Sequence, residues 1–199
     1  MTDWTEQLRT DAAFARHVLM EQGSVAPMFV FHCPYYTRVM GAEWSTVREK
    51  RLIQRIVALH AAAEDAEAIS FVSEAWVSSP RQGPDESDAA YLRRVESMTP
   101  SEDPERHEVL ITTVVYREGG KVLPLLQVED IVRDHDGSPV STHIRRDEGV
   151  SFEGLLAELL SPRKLTMAER TQAKKLLDSI IKMSGVKFTS QIIHPEGNA

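Results

Sequence analysis

Two residue pairs at strand spacing hold most of the chemistry this chain offers. Glu74 and Trp76 stand two apart in the run Ala66 to Ser79, AEAISFVSEAWVSS. Arg106 and Glu108 stand two apart after the proline-bounded segment Pro100 to Pro104. A strand sends alternate side chains to opposite faces, so the members of each pair share a face. If the two strands are antiparallel neighbours, Arg106 pairs with Glu74 and lies against Trp76. Such a patch is either a ligand site or a cross-strand ion pair. Glu74, Trp76, Arg106 and Glu108 are the binding candidates, and no residue is assigned a catalytic role. The enzymatic version is an acidic site assembled by the fold around Glu74 and Glu108, with His107 beside them.

Other reactive residue types lack the spacing their chemistry needs. Cys33 sits between His32 and Pro34, but neighbours on a strand point apart, so a thiol activated by the adjacent imidazole is disfavoured. The seven histidines form no H-x-H, H-x-x-x-H or H-E-x-x-H motif, and there is one cysteine. No metal site is expected from such a pattern. Asp134-His135-Asp136-Gly137 resembles the start of a calcium loop, yet the later ligands are missing and a hairpin turn explains it. No glycine-rich nucleotide cradle and no G-x-S-x-G is present, so no cofactor is expected.

The S-E-A-W strand, Ser73 to Trp76, and the P-S-x-x-P-x-R-x-E segment, Pro100 to Glu108, resemble a pattern in small bacterial and phage-type proteins. Ala26-Pro27-Met28-Phe29 is similar to that pattern as well. The likeness runs over about residues 20 to 117, and the inserted helix at 84 to 98 departs from it. No activity attaches to that group, so the resemblance implies no catalytic residue.

The elements that must position the four candidates follow from periodicity. On the central strand Ile69, Phe71, Ser73, Ala75 and Val77 share one face, which is expected to meet the core. Thr2 to Gln22 reads as a helix, with Trp4, Leu8, Ala12, Ala15 and Leu19 as its apolar stripe. Val25 to Phe31 reads as a buried strand, His32 to Tyr35 as a turn, and Tyr36 to Met40 as its hairpin partner. Thr46 and Glu49 form a capping box at the head of a second helix reaching about Asp65. Residues 80 to 103 are a helical insertion. Strands then run over 108 to 117, 121 to 133 and 139 to 145, punctuated by Gly119-Gly120 and Asp136-Gly137. A basic helical hairpin is expected over about 151 to 184, and a last strand over 186 to 194. The predicted fold is α+β: one domain over 1–199, with a mainly antiparallel sheet of five or six strands and helices packed on one side.

Composition narrows the function. The 199 residues are 42% apolar and 27% charged, enough to bury a core. A net charge of −7 disfavours indiscriminate binding to nucleic acid or anionic membranes. Charge is uneven: residues 161 to 199 hold seven basic against three acidic side chains. No apolar run approaches the roughly 20 residues that span a bilayer. The N-terminus is acidic and amphipathic, unlike a secretory signal, and a lone cysteine fits a reducing compartment, so a cytoplasmic location is expected. The function this supports is a non-enzymatic binding or interaction protein that self-associates. The alternative is the small-molecule or metal-dependent enzyme built on Glu74 and Glu108.

Overall fold

Local sequence decides where each helix begins. In the computed structural model, which describes residues 2–77, 82–97, 103, 106–145, 158–184 and 188–193, helix α1 spans Trp4–Gln22. The Asp3 carboxylate accepts from the Thr5 and Glu6 amides, satisfying two of the orphan N–H groups at its head. Gly23 closes it with φ +79°, a left-handed conformation that a side chain would strain. Helix α2, Val47–Glu64, opens on the reciprocal box of Thr46 and Glu49. Helix α4, Met167–Ser184, opens on the same device at Thr166 and Glu169.

Among the described residues seven strands form one antiparallel sheet: β1 (Met28–Cys33), β2 (Tyr36–Gly41), β3 (Ala68–Val77), β4 (His107–Glu118), β5 (Lys121–Arg133), β6 (Pro139–Ile144) and β7 (Thr189–Ile193). Their order is β6-β5-β4-β3-β1-β2-β7. The count exceeds the expected five or six because every segment read as a strand joins the same sheet, with the β1–β2 hairpin beside β3 and β7 on β2. Helix α3, Asp88–Ser97, lies in the insertion between β3 and β4. The helix read from Ser151 falls up to residue 157 outside the described residues, as does most of the segment from Pro100 to Glu105.

The helices are not confined to one side, as the sequence suggested. Leu8, Ala15 and Leu19 of α1 pack on Ala68, Val72, Leu110 and Val114, which share one sheet face. Ile53, Val57 and Ala61 of α2 pack on Phe29, Phe31, Ile69 and Val115 of the other face. α4 packs against α2, burying Ala173 and Leu177. The physical reason lies in β3, where Ala68, Ser70 and Val72 are as inaccessible as Ile69. Alternating apolarity gives the face of a half-covered sheet, whereas this strand is covered on both. Among the described residues no helix is long and apolar enough to cross a membrane.

Candidate functional site

The register of β3 and β4 decides whether the four candidates meet. Trp76 stands opposite Glu108, and Glu74 opposite Leu110, so Glu74, Trp76 and Glu108 share the face that α1 covers. Arg106 precedes β4 and lays its guanidinium over the Trp76 ring, 4.7 Å from the centroid. The structure therefore gathers all four. It also separates His107, which stands opposite Val77 on the other face, so His107 does not join Glu74 and Glu108.

The cation that holds both carboxylates is Arg133, at the end of β5, not Arg106. Its Nε and Nη2 donate to the two oxygens of Glu108 at 2.7 and 2.6 Å, a bidentate pair. Nη2 also donates to Glu74 Oε2 at 3.2 Å, and Nη1 to the carbonyls of Gly23 and Gly137 at 2.9 and 3.1 Å. A guanidinium has five N–H groups, and these contacts use all of them. Glu74 Oε1 accepts the Val25 amide in turn. One arginine thus joins the end of α1, strands β3 and β4, and the β5–β6 turn. The three side chains are each about one-fifth exposed.

Electrostatics divides the two acids. Burial pushes the Glu74 carboxyl above its ordinary value, and the adjacent Glu108 adds to the rise. The hydrogen bonds from Arg133 hold Glu108 below its ordinary value despite partial burial. Both carboxylates are already coordinated by protein donors. What remains accessible is Trp76, 46% exposed, with Arg106 on its face.

A second polar cluster escaped the sequence reading. Asp11 of α1 meets His32 of β1 and Ser70 of β3 beneath the helix, all three buried. His32 Nε2 lies 3.1 Å from Asp11 Oδ2 and 2.8 Å from Ser70 Oγ, and Ser70 donates directly to Asp11. A serine relay needs acid and serine on opposite ring nitrogens; here both address the same one. The cluster is a polar tether for α1. The sequence pattern puts His32 in a turn, whereas β1 runs through Cys33 and only Pro34 and Tyr35 turn the chain. Asp11, three residues after Leu8, lies on the buried side of α1, and that spacing was the available signal.

Cys33 stands near Glu64 at 4.0 Å, and Arg38 grips Glu64 through Nε and Nη2. Burial and the Glu64 charge push the Cys33 thiol up to about 11, so it is protonated at neutral pH and a poor nucleophile. At the β5–β6 turn, Asp134 Oδ1 accepts the amides of Asp136 and Ser138. That is hairpin chemistry, and Asp134, His135 and Asp136 are all exposed.

No protein-family model, curated protein or solved structure matches the chain.

Proposed function

We propose that this protein is a cytoplasmic, non-enzymatic interaction protein that self-associates through an edge of its sheet. The supporting observation is the character of the two edge strands. β6 (PVSTHI) and β7 (TSQII) contain no lysine, arginine or acid. Val140 and Ile144 on β6 are 55% and 58% exposed, and Ile192 and Ile193 on β7 are each 44% exposed. Edge strands carry unpaired backbone groups and are commonly blunted by charge, which these two lack. On β6 the open groups are identifiable: Arg145 N–H donates inward to Val128 C=O, so by alternation the Ile144 and Thr142 amides point off the sheet. A second copy adding its own edge antiparallel supplies partners for them and covers the β-branched side chains. The occupied state of Glu74 and Glu108, with Arg133 on both, weighs against the acidic-enzyme alternative.

The test is sedimentation velocity on the wild type and on Ile144→Lys and Ile192→Lys. The wild type is expected to sediment above the 22.4 kDa monomer, and one lysine variant to return it to the monomer. A wild type that remains monomeric at every concentration overturns the proposal.

A further inference from the structure

The described cations differ in whether an acid holds them. Arg16, Arg38, Arg94, Arg133, Arg145 and Arg163 each rest on an acidic side chain. Arg48, Arg51 and Arg55 of α2 and Lys174, Lys175 and Lys182 of α4 are exposed, and none has an ion pair among the described residues. α2 and α4 pack on each other, so these six cations lie on one helical layer. Those helices hold eight basic and four acidic residues in a chain of net charge −7. The fold therefore sets a basic face on an acidic body, and a face of that sign selects an anionic partner.

Apolar side chains on the same layer narrow the partner further. Leu176 and Met183 are one heptad apart on α4 and 41% and 79% exposed. Ile180, half-buried, lies between them on the same side of the helix. Lys175 and Lys182 precede Leu176 and Met183 by one residue each, so they border this apolar rail about 100° round the helix. Met167, 72% exposed, and Val47, 69% exposed, add apolar surface at the heads of the two helices. A phosphate backbone gains nothing from leucine and methionine contacts, whereas an amphipathic helix with acidic flanks satisfies rail and lysines together. We infer that the outer face of α4, with its basic neighbour α2, docks an acidic amphipathic helix of another protein. This surface is distinct from the sheet edges, and its variants leave β6 and β7 unchanged.

The experiment uses the full chain and a fluorescein-labelled synthetic amphipathic peptide, with leucines at helical spacing and glutamates on both flanks. A twin peptide carrying lysines in place of the glutamates, and a labelled DNA duplex, serve as competitors of different chemistry. The acidic peptide is expected to bind by fluorescence anisotropy, with affinity falling several-fold as salt rises. Leu176→Glu and the pair Lys175→Glu with Lys182→Glu are expected to abolish binding while leaving thermal unfolding unchanged, since these side chains are exposed. Equal binding of the lysine twin overturns the inference, as does equal or tighter binding of the duplex. Absence of any binding overturns it too, and so does self-association abolished by the same Lys→Glu pair, which would make a second copy the occupant.

Discussion

Replacing Arg133 by methionine is expected to cost roughly 3–5 kcal/mol of stability at neutral pH, the loss associated with stranding a partly buried charge. The variant leaves Glu74 and Glu108 side by side without their shared cation, and it releases the carbonyls of Gly23 and Gly137. The pH dependence carries a definite sign. Glu108 is held below its ordinary value when folded, so its contribution is present above that value and is lost as pH falls through the lowered one. Glu74 is raised, so its contribution is full below the ordinary carboxyl value of 4.5 and is lost as pH rises through the raised one. Without Arg133 both carboxyls shift upward, and the deficit of the variant should narrow as pH falls from neutral towards 5. Glu74→Gln should behave differently, because its amide oxygen still accepts the Val25 amide and the Arg133–Glu108 pair survives. That change is expected to stay within about 1 kcal/mol and to remove the loss of stability above 4.5 that Glu74 causes. Urea unfolding of the three proteins across pH measures both effects. A loss below 1 kcal/mol for Arg133→Met would show that the acids do not need it.

The second large effect is expected at Asp11. Changing it to alanine removes the buried acceptor that the Ser70 hydroxyl and His32 Nε2 share beneath α1 and leaves them only their mutual contact, at a cost of about 1–3 kcal/mol. Gln7, whose amide donates to Asp11 Oδ1 at 2.9 Å, loses that partner as well. Asp11→Asn keeps an acceptor and should lose less. The variants should also loosen α1 before the rest of the fold, visible as faster amide exchange over residues 4–22 than over α2. Equal stability of Asp11→Ala and wild type would mean that α1 is held by Leu8, Ala12, Ala15 and Leu19 alone.

What was legible in the sequence and what was not divides along sequence separation. Capping residues act over three positions, so Thr46 with Glu49 marked the start of α2 directly, and Asp3 and Thr166 with Glu169 work over the same short range. The two-residue period put Glu74 with Trp76 on one face, and the antiparallel register then brought Glu108 opposite Trp76. Arg133 gives no such local sign. It reaches Glu108 across 25 residues and Glu74 across 59, and its neighbours Val132 and Asp134 do not mark it. His32 was hidden by Pro34, because the chain turns at Pro34 and Tyr35, two residues later than a turn starting at His32. The covering of both sheet faces was not legible because the partners of the polar residues on β3 lie far off in sequence: Asp11 of α1 satisfies Ser70, and Arg133 satisfies Glu74. Polar residues on a strand indicate exposure only when no buried partner awaits them.

Whether a second strand covers an edge of the sheet is measured most directly by hydrogen exchange of edge amides at low and high protein concentration. The outward amides of one edge, Thr142 and Ile144 on β6 or those of β7, are expected to exchange more slowly as concentration rises, while amides inside β3 and β4 do not change. Fast exchange at both edges, the same at every concentration, would contradict self-association through the sheet edge.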